Sequence, residues 1–198
     1  LCNAQLVVAR EYGFSTWKDL AEAVELGGRF RAEVGFGGDP GLERLGPLLT
    51  KMAATDLPLF LQGESGTGKG QALAAVHHLS PRCQYPLVRL AVAAVPEALI
   101  DSELFGHEEG AFTGAVQGRL GKVETAQGGT LFLDGVDKLP LGTQERLVRL
   151  VEAGEFERVG GEEVLEADIR LVVAAEVGLA QGVERGTFSG ELAFLLTK

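Results

Sequence analysis

The segment GESGTGKG, residues 63–70, carries glycines and one lysine at a spacing that suits phosphate binding. Four residues separate Gly63 from the pair Gly68 and Lys69, an apolar run precedes the segment, and a helix-like run follows it. Glycines allow backbone N–H groups to turn toward phosphate oxygens, and a lysine beside a helix start adds positive charge. We therefore predict a nucleotide-binding loop formed by Gly63, Glu64, Ser65, Gly66, Thr67, Gly68, Lys69 and Gly70.

The last residue of this segment departs from the general motif. The motif places Ser or Thr directly after the lysine, where the hydroxyl group holds Mg²⁺. Gly70 has no side chain with which to do so. The departure raises the question of whether the chain keeps a nucleotide site but has lost the means to hydrolyse what it binds.

A second candidate residue is Asp134, which ends the apolar run of GGTLFLDG, residues 128–135. A carboxylate at a strand end can hold Mg²⁺ and its water, as it does in phosphate-loop enzymes. A lone Asp after a strand is more often a turn or helix cap. Its combination with a phosphate loop favours the metal role, so we predict Asp134 as a ligand of Mg²⁺ in an ATP site.

Strands that alternate with helices are needed to bring these residues together. Short apolar runs predict strands at Pro58–Gln62, Leu87–Val92, Thr130–Asp134 and Ile169–Ala175. Helical periodicity predicts helices at Lys69–Leu79, Gln144–Ala153 and about Phe188–Leu196. Such alternation is typical of parallel pairing, which predicts an α/β fold with a parallel sheet between helical layers.

The first part of the chain differs in composition from the rest. Residues 1–27 have apolar positions at helical spacing, which predicts a short helical hairpin. This segment resembles the helical tail beside ankyrin-type repeats in some bacterial proteins. Residues 28–41 are rich in Gly, include one Pro and show no period, so we interpret them as a linker. The main domain is then expected to span residues 42–198.

Composition limits the partners and compartments that the chain can have. With 18 Lys and Arg against 28 Asp and Glu, the formal net charge is −10, so we expect no direct DNA contact. No apolar run approaches the roughly 18 residues of a membrane span, and we expect no membrane association. Cys2 and Cys83 form no zinc or disulfide pattern, which favours the reducing cytoplasm. His77, His78 and His107 give no metal-ligand spacing either.

Four segments together resemble one known family. DSELFGHEEGAFTGA from Asp101 to Ala115, with GESGTGKG, GGTLFLD and GEFERVGG at residues 154–161, is similar to the AAA+ domain of bacterial enhancer-binding proteins, the activators of sigma-54 RNA polymerase. The resemblance covers roughly residues 42–198. It implies a three-layer P-loop core, binding of ATP and Mg²⁺, and assembly into a ring. The helical lid that normally follows this core is not found, and we interpret the chain as a fragment.

The resemblance also assigns a loop to partner binding. In this family the GAFTGA segment projects from the ring and contacts sigma-54 when ATP is hydrolysed. Glycines at both ends allow the loop to hinge, and Phe112 with Thr113 gives it an apolar, hydrogen-bonding tip. The predicted contact residues are Gly110, Ala111, Phe112, Thr113, Gly114 and Ala115.

Several departures from the family concern ATP hydrolysis. Family members carry Glu directly after the magnesium-binding Asp, where it polarises the attacking water, and this chain has Gly135. The Asn that restrains this Glu is replaced by Ala91. Two Arg residues that reach into a neighbouring site are replaced by Ser189 and Leu195. The polar pair at the end of the last strand is also altered, since Glu176 stands there.

The joint loss of these groups predicts a degenerate site. We expect a sigma-54-dependent transcription regulator domain that binds ATP with impaired hydrolysis. Asp137 lies two residues beyond Gly135 and on a different face, so we do not expect it to replace the missing base. An active ATPase activator is one alternative, with the missing groups supplied by neighbouring subunits or by other residues of this chain under a shifted alignment. A non-catalytic interaction scaffold is another, and retained nucleotide binding would argue against it.

Overall fold

The structure is a computed structural model that describes residues 48–197. The predicted hairpin at residues 1–27 and the linker at residues 28–41 lie outside the described residues, so the domain boundaries stay predictions. Across residues 48–197, no helix combines the length and the apolar character that a membrane crossing requires.

Strands and helices alternate along the described chain. In order they are β1 (Leu59–Gln62), α1 (Lys69–His78), β2 (Leu87–Ala91), α2 (Ile100–Phe105), β3 (Gly106–His107), β4 (Arg119–Leu120), α3 (Lys122–Thr125), β5 (Thr130–Asp134), α4 (Leu141–Ala153), β6 (Glu155–Glu157), β7 (Val164–Glu166), β8 (Arg170–Ala175), α5 (Leu179–Glu184) and α6 (Gly190–Thr197). Residues 48–53 are also helical, and short 3₁₀ turns occupy Val92–Ala94, Glu97–Leu99 and Val136–Lys138.

The central sheet consists of four parallel strands in the order β1-β8-β5-β2. Every residue of β8 is buried, because this strand has a neighbour on each side and apolar cores on both faces. The short apolar runs and the parallel pairing predicted from them are therefore confirmed. Two small antiparallel pairs, β3 with β4 and β6 with β7, lie outside this sheet.

Alternate strand residues face two separate apolar cores, which makes the fold three-layered. In β5, Leu131 and Leu133 lie in the core that α4 and α6 cover, and Phe132 lies in the core that α1 covers. This is the α/β P-loop arrangement predicted from the sequence. The carboxyl ends of all four strands meet at one edge of the sheet, where open α/β sheets place their ligand sites.

One buried cation ties the N-terminal helical segment to the sheet. Arg170 at the start of β8 is 1% exposed, and its Nη2 donates a hydrogen bond to the Met52 carbonyl at 2.6 Å. Its Nη1 donates to the Ala53 carbonyl at 3.3 Å. Burial lowers the pKa of Arg170 to about 10, so the group stays charged at neutral pH. The arrangement satisfies carbonyls at the end of helical residues 48–53.

Candidate functional site

The phosphate loop connects β1 to α1 at this edge of the sheet. Its first residue, Gly63, donates its N–H to the Ala175 carbonyl at 3.1 Å and so continues the pairing of β1 with β8. Gly68 precedes α1 with φ 90, a left-handed conformation that other residues adopt only with strain. The sequence therefore turns sharply from strand into helix at the position that the motif assigns to Gly.

Lys69 lies over the inside of the loop. Its Nζ donates to the carbonyls of Gly63 at 2.7 Å and Glu64 at 2.9 Å. Thr67 Oγ1 donates to the same Glu64 carbonyl at 2.8 Å and braces the loop from within. The ammonium group is thus held at the mouth of the loop, near the place where a phosphate group would accept its hydrogen bonds.

A cleft of about 590 Å³ opens beside the loop. Its walls combine predicted site residues with others that sequence reasoning did not assign to the site: Ser65, Gly66, Gly68, Lys69, Gly70, Gln71, Ala74, Arg89, Asp134 and Glu176. Gly63, Glu64 and Thr67 shape the loop but do not line this cleft. The structure therefore brings Asp134 together with the phosphate loop, although Asp134 lies 64 positions after Gly70 in the chain.

Arg89 is a charged cleft residue that the sequence did not predict, and the uncharged Gln71 and Ala74 were not predicted either. The only available signal was a cation inside the otherwise apolar run LVRLA. Glu176 had been noted as a departure at a strand end, and it lines the same cleft. Lys138 approaches Glu176 with Nζ 4.0 Å from Oε2.

The donors in this cleft fit Mg²⁺ only in company with a nucleotide. Mg²⁺ is commonly held by one or two carboxylates plus substrate phosphates, and Asp134 and Glu176 are the carboxylates present. No group of three or more His, Cys, Asp or Glu between residues 48 and 197 is placed to hold a metal ion. Gly70 contributes no oxygen on the loop side. Any bound Mg²⁺ would have Asp134 as its principal protein ligand.

The three histidines do not line the cleft. His77 Nδ1 lies 2.9 Å from Thr130 Oγ1 in the interior, and burial lowers the pKa of this imidazole. His107 Nδ1 lies 2.8 Å from Ser102 Oγ. His78 is exposed on α1. Within the described chain these three side chains form no common site.

The backbone conformation directly after Asp134 favours glycine. Gly135 has φ 86, in the left-handed region, and leads into the turn Val136–Lys138. Asp137 in this turn has its Oδ1 buried without a hydrogen-bond partner among the described residues. Burial raises the pKa of Asp137, and the nearby Glu176 carboxylate acts in the same direction. Asp137 does not line the cleft, so a role for it as the catalytic base gains no support from the geometry.

The two positions where the family resemblance implies arginines, Ser189 and Leu195, have local structural roles here. Ser189 precedes α6, where its Oγ accepts a hydrogen bond from the Leu192 N–H at 3.3 Å, as a helix cap does. Its own N–H donates to Gln144 Oε1 at 2.7 Å. Leu195 packs against the apolar core. Neither position offers a charge to a neighbouring subunit.

The GAFTGA loop is anchored at its base. The Glu108 N–H donates to the Val159 carbonyl at 3.0 Å, and Val159 N–H donates to the Gly106 carbonyl at 2.9 Å. Arg158 forms ion pairs with Glu108 at 2.8 Å and Glu124 at 2.6 Å, which raise the pKa of the guanidinium. The segment GEFERVGG thus holds the start of the loop in place.

The tip of the loop is exposed. Phe112 is 38% exposed, and its ring packs edge-on against His107 with centroids 5.0 Å apart. Thr113 and Gly114 are exposed as well. Ala115 is buried, and its carbonyl accepts a hydrogen bond from the Gly110 N–H at 2.8 Å. Phe112 therefore lies at the surface and not in the core.

Comparisons with known proteins identify the family of this chain. The sequence profile of the family described as Sigma-54 interaction domain matches residues 36–198. The chain is 43% identical over 180 residues to the Nif-specific regulatory protein of Azotobacter vinelandii, covering 88% of this chain and 34% of that protein. It is 42% identical over 157 residues to the DNA-binding transcriptional regulator NtrC of Escherichia coli K12, covering 79% of this chain and 34% of that protein.

Solved structures give the same result. NtrX from Brucella abortus in complex with ATP superposes with a TM-score of 0.74 at 28% identity, covering 90% of this chain and 40% of that one. The P-loop NTPase domain of the sigma-54 transport activator from E. coli shares the fold, with a TM-score of 0.54 at 19% identity, covering 76% of this chain and 98% of that one. The chain spans about a third of the length of the Nif-specific and NtrC relatives. Over residues 36–198 this chain belongs to the Sigma-54 interaction domain family.

Proposed function

We propose that this chain is a sigma-54 activator domain that binds ATP in the cleft beside Lys69 but hydrolyses it poorly. The observation that carries the proposal is the contrast within one site. The phosphate loop, Lys69 and Asp134 are assembled around a cleft, while Gly135 places no carboxylate beside Asp134. Binding and hydrolysis need different residues, and only those for binding are kept.

The size of the expected effect follows from the missing groups. Whether or not Mg²⁺ accompanies the ATP, the protein must position the attacking water and neutralise the charge that develops during hydrolysis. A positioned general base contributes about 10²–10⁴ in rate, and an Arg finger about 10³–10⁵. Gly135, Ser189 and Leu195 supply neither group. The proposal therefore expects turnover near background with binding largely retained.

The comparisons support the binding half of the proposal. A relative at 28% identity, NtrX from Brucella abortus, has been solved in complex with ATP and in complex with ADP. This chain keeps the loop that such a complex requires, including Gly63, Gly68 and Lys69. We take ATP as the nucleotide of the domain, and Asp134 as the ligand of Mg²⁺ when the metal ion accompanies it.

The partner proposal rests on the exposed tip of the GAFTGA loop. Phe112 and Thr113 lie at the surface on a base fixed by Arg158, which suits a small apolar contact. We infer that this tip meets sigma-54 within a ring of homologous subunits. The net charge of −10 makes direct DNA contact by this chain unfavourable.

One observation favours a second candidate, an active ATPase. Glu176 lines the cleft at the end of β8, next to β5, and could polarise water from there in place of a residue at position 135. Its contact with Lys138 would have to be released for this role. If Glu176 were the base, the wild type would hydrolyse ATP and Glu176→Gln would lose at least about tenfold in turnover.

A nucleotide titration tests the proposed function. The purified chain is titrated with a fluorescent ATP analogue, alongside Lys69→Ala and the charge-matched control Lys51→Ala, at an exposed side chain of helical residues 48–53. The proposal expects binding by the wild type and the control, and its loss in Lys69→Ala. Equal affinity in all three proteins would show that the loop plays no part. Absence of binding in all three would favour the interaction scaffold.

A further inference from the structure

Arg89 places an unpaired cation in the nucleotide cleft. It pairs with Phe132 in the register of β2 and β5, so its side chain leaves the sheet on the face that α1 covers. There it lines the cleft together with Asp134. Its side chain makes no hydrogen bond or ion pair with any residue from 48 to 197. A guanidinium group that the fold leaves without a partner is available to a ligand.

Arg89 and Gly70 are complementary in shape. A Cβ atom built on Gly70 would lie 4.0 Å from Arg89 Nη1, which is ordinary contact distance. A side chain at position 70 would therefore begin within contact distance of the guanidinium group. The position from which the general motif offers a hydroxyl to Mg²⁺ lies next to a positive charge here.

With Gly70 and Arg89 in these positions, the cation that neutralises the phosphates becomes a guanidinium group instead of Mg²⁺. A guanidinium group donates hydrogen bonds in a planar fork that matches two phosphate oxygens, and such charge-assisted bonds are among the stronger ones in proteins. The same charge repels a divalent ion from the loop side of the site. Lys69 and Arg89 would then hold the phosphates from two sides of the cleft, and Asp134 and Glu176 are the carboxylates that would favour a metal ion.

We propose that Arg89 binds the outer phosphates of the nucleotide and provides the positive charge that Mg²⁺ provides in related sites, so that this cleft binds adenine nucleotide without Mg²⁺. This inference rests on the proposed function, because it assumes that the cleft is a nucleotide site. It goes further by naming a ligand that neither the loop motif nor the departures from the family assign. It also explains why Gly at position 70 is compatible with nucleotide binding.

The test compares affinity for a fluorescent ATP analogue with excess Mg²⁺ and with the metal chelated by EDTA. The proteins are the wild type, Arg89→Gln and Arg149→Gln, a control at a surface arginine that pairs with Glu155 and Glu157 away from the cleft. We expect wild-type affinity to change less than about threefold on chelation. Arg89→Gln should lose about tenfold in EDTA, the effect of one charge-assisted hydrogen-bonding group. The control should behave as the wild type does.

A double variant provides the converse experiment. Gly70→Ser combined with Arg89→Gln restores the hydroxyl and removes the charge, so binding should become dependent on Mg²⁺ by about tenfold or more. Wild-type binding that requires Mg²⁺ would overturn the inference while leaving the proposed function intact. Unchanged affinity of Arg89→Gln in EDTA would overturn it as well. Failure of the wild type to bind under either condition would defeat both the inference and the proposed function.

Discussion

Ala91 lies beside Asp134 in the parallel pairing of β2 and β5, so both side chains leave the sheet on the same face. The family resemblance implies Asn at this place, where it would restrain a catalytic Glu. This chain has the methyl group of Ala91 next to Asp134 in the register, and Gly135 follows with no side chain. Ala91 and Gly135 therefore lie at adjacent points of the proposed site. The absence of a carboxylate and of its amide partner at these two points is what the proposed function, ATP binding with poor hydrolysis, expects.

Restoring the missing carboxylate alone is predicted to recover little activity. Gly135 has φ 86, so Glu in Gly135→Glu would carry about 1–2 kcal/mol of backbone strain or would change the turn. Ser189 and Leu195 would still carry no charge in this variant, and the groups of a phosphoryl-transfer site act as a unit. Phosphate release measured at steady state should stay near the level of the control Gly142→Glu, whose site on α4 is open. Turnover clearly above that control would contradict the prediction.

The backbone conformation at position 135 can be tested by comparing how Ala substitutions at Gly135 and at Gly142 change the stability of the protein. A Cβ at Gly135 meets Lys138 Cδ at 3.5 Å, so space is sufficient and the dihedral angle alone opposes Ala. Gly135→Ala should lower the free energy of unfolding by about 1 kcal/mol. Gly142→Ala, in a helix with nothing within 4 Å, should raise it by about 0.5 kcal/mol. Urea unfolding measures both. Equal changes in the free energy of unfolding for the two variants would argue against a left-handed backbone conformation at residue 135.

The exposed tip of the GAFTGA loop gives a separate prediction about the partner. Phe112→Ala should leave unfolding and nucleotide affinity within error of the wild type, because the ring is only half-buried, against His107. It should weaken capture of purified sigma-54 by about tenfold or more, as expected of an aromatic anchor. Val116→Ala, at a side chain that is 78% exposed beside the same loop, serves as the control. Equal capture by both variants would remove Phe112 from the contact.

Asp137 predicts a dependence of stability on pH. Burial raises the pKa of Asp137 above its ordinary 3.8, so the folded protein holds this proton more tightly than the unfolded chain does. The resulting stability is complete below pH 3.8 and is lost as the pH rises through the folded pKa. Asp137→Asn has no carboxyl proton to lose. The melting temperature of this variant minus that of the wild type should therefore increase from acidic to neutral pH. Glu97→Gln, in an exposed turn, is the control. A difference that does not change with pH would contradict the prediction.

The sheet and the phosphate loop could be predicted because their signals are local. Apolar runs fix β5 and β8, and glycines at Gly63 and Gly68 fix the turn into α1. The position of the Arg89 side chain in the cleft could not be predicted, because it depends on which face of β2 lies toward α1. Short elements such as α2 and the β6–β7 pair were missed as well. They have too few residues to show a period, and tertiary contacts hold them.

The most direct test of the account is steady-state ATP hydrolysis by the purified chain beside a measurement of ATP binding on the same preparation. The chain is assayed alone and mixed with an intact relative that can lend its arginines, with Lys69→Ala as the background. The account predicts measurable binding by the wild type, with turnover alone no higher than that of Lys69→Ala. It predicts that the relative cannot restore turnover at this chain's own site, because Gly135 offers no base. Robust hydrolysis by the chain alone, lost in Glu176→Gln, would contradict the account and establish the active ATPase.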